Sequence, residues 1–124
     1  MQTSAISFGA EYALHKYLGL EYKFEIFDGG DKYDCVVAGR TIDVKSTEGY
    51  MQELKIQDKD LKKDIDIFVP LVKWIGKPTY QILGWIEKWQ FEDLAEYKQR
   101  RFSKMWCVDI NNMKDIKLLK GMMF

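Results

Sequence analysis

Residues 33–46 constrain this chain more than any other stretch. Apolar and polar residues alternate over 33–38 and again over 41–46, and Gly39-Arg40 stands between the two runs. A glycine-led, two-residue connection between alternating runs reads as a β-hairpin. With the turn at Gly39-Arg40, Ala38 stands opposite Thr41, Val36 opposite Asp43, and Asp34 opposite Lys45. Side chains alternate along a strand, and cross-strand partners share a face. Asp34, Asp43 and Lys45 therefore point to one side, with Asp34 and Asp43 as diagonal neighbours. Tyr33, Cys35, Val37, Ile42 and Val44 make a core face on the other. A slip of one residue would scatter the charged set, so the assignment depends on register.

Around the hairpin, residues 4–18 have helical spacing, with Ser4 as a cap and Gly19 as a stop. Residues 22–27 read as a short strand ended by Asp28-Gly29-Gly30-Asp31, and residues 54–57 as another. Residues 59–63 form a short charged helix or loop. Strands are expected over 65–74 and 80–86, joined at Gly76-Lys77-Pro78, then a helix over 91–102, a strand over 105–110 and a last edge strand over 116–119. Such an order gives a mixed α/β fold with a largely antiparallel or mixed sheet and two main helices. With 124 residues and no internal repeat or linker, residues 1–124 are read as a single domain.

The chain carries 19 basic and 19 acidic residues, so any basic surface must be local. Cys35 and Cys107 sit in apolar runs and read as buried thiols rather than a disulfide framework. The N-terminus has no basic stretch leading into an apolar one, and no apolar run approaches the ~18 residues of a membrane span. The expectation is a soluble, cytoplasmic protein with no membrane partner.

The charged hairpin face supports two readings. In one, Lys45 pairs with Asp34 on a solvated surface for less than about 1 kcal/mol. In the other, two carboxylates converge on a hard cation such as Mg²⁺, which lowers the pKa of a bound water, and a neighbouring lysine orients or deprotonates that water. Lys55, Lys59, Lys62 and Lys63 form one basic cluster, and Lys98, Arg100, Arg101 and Lys104 another. Either could hold a phosphate backbone or be a solvated face, the first especially, because acids are interleaved in it. Trp85, Trp89 and Trp106 read as core or dimer contacts before base-stacking platforms. The single histidine, His15, leaves little material for histidine-based catalysis.

Asp34, a hydrophobic strand, a tight turn and then Ile42-Asp43-Val44-Lys45-Ser46 resemble the PD-(D/E)xK nuclease superfamily, which includes restriction endonucleases, Holliday-junction resolvases and many phage enzymes. The element order resembles that family over most of the chain, although the motif itself is short and degenerate, and Tyr33 rather than proline precedes Asp34. The resemblance implies a restriction-endonuclease-like mixed β-sheet flanked by helices. It implies Asp34 and Asp43 as Mg²⁺ ligands (Mn²⁺ substituting), the Val44 carbonyl as a further ligand, and Lys45 as the catalytic lysine. Glu11 matches a helix glutamate that many members direct at the site; its other reading is a solvated partner of His15. The activity implied is metal-dependent hydrolysis of DNA, structure-specific or homodimeric because no separate recognition domain is present, with Lys55, Lys59, Lys62, Arg100 and Arg101 as DNA contacts. The competing readings are a catalytically silent nucleic-acid-binding or assembly module on the same scaffold, and a small structural protein with a chance triplet.

Overall fold

A computed structural model describes residues 2–20, 35–37 and 39–122. Helix α1 spans Gln2–Leu18 and stops where Gly19 takes a φ of 74°. Its Ala10, Leu14 and Leu18 recur every four residues, and all three are buried. They pack on one face of the first sheet, against Val37, Ile42, Ile67, Val69 and Leu71.

That sheet is built on β1 (Cys35–Val37), β2 (Arg40–Glu48), β4 (Ile67–Lys73) and β5 (Tyr80–Ile82), in that spatial order, with β6 (Ile86–Glu87) also beside β4. Strands β1 and β2 are antiparallel, whereas β2 and β4 are parallel, so the chain must cross between them. The crossing carries β3 (Glu53–Ile56) and the single-turn helix α2 (Asp58–Leu61). From Ile67 to Val72 every residue of β4 is buried, as a central strand covered on both faces requires. A second sheet, β3-β8-β7, is formed with β7 (Glu96–Gln99) and β8 (Lys104–Asp109). A second core of Leu54, Ile56, Ile65, Phe68, Ile86, Phe91 and Val108 includes residues from both sheets and from helix α3 (Lys88–Leu94). The result is a mixed α/β structure, with one core against α1 and the other against the second sheet.

Four expectations are corrected. The hairpin register differs by two residues: Val37 pairs with Arg40, Val36 with Thr41 and Cys35 with Ile42. Gly39, at φ 78°, closes the turn just before Arg40, which is thereby freed to bond Glu87 at 2.9 Å. A shift of two preserves the alternation of faces, so Val37 and Ile42 remain in the core while Val36 is exposed.

Residues 91–102 are not one helix. α3 ends at Leu94, and β7 follows because its residues complete an antiparallel ladder with β8, which outweighs the helical propensity of Glu96, Lys98 and Gln99. Residues 80–86 are split into β5 and β6 at Gly84, whose φ is 137°. A Cβ there would lie 2.5 Å from the Lys114 carbonyl oxygen. Finally, residues 116–119 are helical, in α4 (Ile116–Gly121), because the Asp115 side chain accepts from the Lys117 amide at 2.9 Å and caps the first turn. The strand expected over 22–27 lies outside the described residues.

Candidate functional site

Strand β2 separates two chemistries by alternation. Ile42 is buried in the α1 core and Val44 packs against that core; Thr41, Asp43 and Lys45 point to the other side. The parallel register sets Asp43 beside Phe68 and Lys45 beside Pro70. Phe68 belongs to the second core, so Asp43 and Lys45 emerge at that core's margin. There α2 supplies a third charged residue, Asp60.

The Lys45 ammonium lies 3.0 Å from Asp43 Oδ2 and 3.3 Å from Asp60 Oδ2. Asp60 Oδ1 is in turn 3.1 Å from the Lys63 ammonium. None of the Asp43, Lys45 and Asp60 side chains is more than 27% exposed, so the cluster is a partly dry nook rather than a free surface. Burial alone would lower the lysine pKa. The Asp43 carboxylate, and after it Asp60, outweighs burial and holds the ammonium above its ordinary value. Burial likewise pushes Asp60 upward, but Lys45 and Lys63 pull its carboxyl below the usual range. Between these two carboxylates Lys45 is held as an ammonium, with hydrogen-bond donors to offer.

A neighbouring carboxylate has a different task. Asp66 accepts from the Thr41 amide at 2.9 Å and from its hydroxyl at 3.2 Å, tying the start of β2 to the approach to β4. Asp58, one turn of chain before Lys62, bonds the Trp106 indole at 3.1 Å and the Lys62 ammonium at 3.2 Å.

Of the residues expected from sequence, the structure brings Asp43 and Lys45 together. Glu11 is half-buried on α1, the helix that covers the Ile42 and Val44 side of β2, and its carbonyl accepts from the His15 ring at 2.7 Å. Val44 pairs with Val69 in the parallel ladder. Asp34 lies outside the described residues. Among the basic residues, Lys55 and Lys59 are exposed, Lys62 is paired with Asp58, and Arg100 Nε bonds Glu53 at 2.6 Å. Arg101 lies over the Phe102 ring.

Asp60 was missed by sequence reasoning. The signal was present in residues 58–63, where acids precede lysines by three and four positions and so neutralise them on one helical face. Among the described residues, no group of three or more His, Cys, Asp or Glu side chains gathers as a metal cage, and no helix is long and apolar enough to cross a membrane. Comparison with family models, curated proteins and solved structures finds no match to this chain.

Proposed function

We propose that this chain is a divalent-metal-dependent nuclease that hydrolyses DNA phosphodiester bonds on a restriction-endonuclease-like scaffold. The observation that carries the reading is the placement of Asp43 and Lys45. They stand two positions apart on one strand and share the face away from α1, in contact at 3.0 Å. The antiparallel hairpin followed by a parallel partner strand also suits the motif order.

The chemistry of the proposed donors, a carboxylate on Asp43 in a partly desolvated nook and a backbone carbonyl on Val44, is that of oxygen ligands for a hard cation. Asp43 would hold Mg²⁺ together with the Val44 carbonyl and Asp34. The cation, when bound, polarises the phosphodiester and supplies a water of lowered pKa. The chain's own part follows from its charges. Lys45 donates hydrogen bonds to phosphate oxygens and offsets the negative charge that grows on them. Asp60 keeps that ammonium in place while Asp43 is engaged elsewhere, and Lys63 anchors Asp60 from behind.

The test is incubation of the pure protein with supercoiled, linear, single-stranded and branched DNA in Mg²⁺, Mn²⁺ or EDTA. Metal-dependent cutting is expected, falling by about 10²-fold or more in Lys45→Ala and Asp43→Asn. A wild-type protein that shifts DNA in a gel yet cuts nothing in either metal would make it a binding module instead.

A further inference from the structure

The turn between β7 and β8 exposes the most unfavourable side chain on this surface. Phe102 is 88% exposed, in a turn closed by the Arg100 amide bonding the Ser103 carbonyl at 2.8 Å. A turn has no need of phenylalanine; glycine, asparagine, aspartate or serine would serve it better.

The charges around it are unbalanced. Lys98 pairs with Glu96 and Arg100 with Glu53, but Arg101 and Lys104 meet no carboxylate among the described residues. They lie over rings instead, Arg101 at 5.1 Å from Phe102 and Lys104 at 5.8 Å from Tyr97. Tyr97 stacks on Trp106 at 4.7 Å, and the Trp106 indole bonds Asp58 on α2. The same helix carries Asp60, which holds Lys45. Contacts from Lys104 through Tyr97 and Trp106 to Asp58 thus link the base of the hairpin to the short helix that carries Asp60.

From this we infer that the β7–β8 tip is a nucleic-acid wedge. Phe102 enters an opened base step, and Arg101 and Lys104 hold the phosphates on either side of it. The inference rests on the nuclease reading and names its substrate class, DNA with an unpaired or interrupted step. Nucleic acid presents flat apolar bases next to anionic phosphates, the complement of a phenyl ring flanked by two cations. Unstacking an intact duplex is costly, so a nick, flap or junction, where stacking is already lost, is the favoured target.

The experiment places 2-aminopurine at the interruption of a flapped duplex and follows its fluorescence in EDTA, where no cutting occurs. Wild type should raise the signal by unstacking the probe and should bind the flap more tightly than the intact duplex. Phe102→Ala should abolish the rise and weaken binding about tenfold. Arg101→Ala should lower the slope of log affinity against log salt by about one. An undiminished signal in Phe102→Ala overturns the wedge. So does a wild type that ignores DNA but binds phosphatidylserine vesicles, which would make the tip a membrane-surface device. If the Phe102-dependent signal appears and Mg²⁺ gives no cutting, the wedge stands and the nuclease reading falls. Flap cutting that Phe102→Ala leaves unchanged does the reverse.

Discussion

The two faces of β2 are made from adjacent residues and do opposite work. Ile42 is fully buried under α1, beside Leu14 and Val37, in a cluster of hydrophobic side chains. Asp43, the next residue, faces a nook in which two carboxylates share one ammonium. The difference teaches where stability and chemistry are kept in a chain of this size. Apolar burial gains about 25 cal/mol per Å² and needs no partner of fixed geometry. A half-buried ion cluster returns little net free energy, because desolvation consumes most of the attraction. Such a cluster is worth keeping mainly for what its charges can bind.

The sharpest way to break this contrast is a pair of neighbouring substitutions. Ile42→Ala should cost about 2–5 kcal/mol of unfolding free energy, read from urea denaturation, because it opens a cavity in a packed core. Asp43→Asn should move the same midpoint far less while removing the DNA hydrolysis proposed for this chain. Equal losses of stability from both would mean that the charged face is as structural as the apolar one.

A smaller effect on the α1 side probes how closely helix and sheet approach. A Cβ on Gly9 would come within 2.1 Å of the Tyr80 hydroxyl, so the tyrosine of β5 lies directly against the helix backbone. Gly9→Ala gains about 1 kcal/mol in helix propensity but incurs an overpacking cost of about 1–3 kcal/mol. The net should be a loss of up to about 2 kcal/mol. Tyr80→Phe, which removes the obstructing hydroxyl, should restore part of it; thermal melting of both variants checks this.

The contrast was partly legible before any coordinates. Periodicity placed α1, with Gly19 as its stop, and the alternation of β2, while an unbroken run rich in β-branched and apolar residues placed β4. The hairpin turn was set one residue too late, which shifts the pairing by two, because Gly39 was read as the first turn residue, although its positive φ serves equally at the second. The helix assigned to residues 91–102 failed for another reason. Glu96, Lys98 and Gln99 favour helix locally, and the strand state of Glu96–Gln99 is decided by β8, which comes later in the chain. α4 was missed because Asp115 was not recognised as a cap. At the candidate site, the D-x-K spacing put Asp43 and Lys45 on one face, where they are in contact at 3.0 Å, but Asp60 arrives from a separate element across the parallel crossover, and the local charge pattern of residues 58–63 does not say which strand it meets.

Asp60 provides the next test, smaller in free energy but distinctive in its pH dependence. Its folded pKa lies below the ordinary carboxylate value, so the stability it contributes is present above about pH 4 and is lost as pH falls through the folded value. Lys45 has the opposite sign. Its folded pKa is raised, so its contribution is complete below the unfolded lysine value and is lost as pH rises through the folded one. Asp60→Asn should therefore cost less than about 1 kcal/mol at pH 7. It should also flatten the acid limb of a stability–pH curve, whereas Ile42→Ala lowers the whole curve and keeps its shape. An unchanged acid limb in Asp60→Asn would detach Asp60 from the cluster.

The weakest effect belongs to Lys62, which caps the end of the short helix that carries Asp58 and lies outside the nook. Its ion pair with Asp58 spans one helical turn, and both side chains are more than half exposed, at 77% and 51%. Water already solvates these charges, and holding two mobile side chains together offsets what attraction remains. Lys62→Ala should leave the urea midpoint unchanged within error and should not alter cutting, while a gel shift in low salt records at most a slight fall in affinity. Lys45 and Lys62 therefore make a matched comparison of two lysines that each contact an aspartate of the 58–61 helix. If Lys62→Ala impaired cutting as severely as Lys45→Ala, general surface charge would account for both, and the nook around Lys45 would lose its special standing.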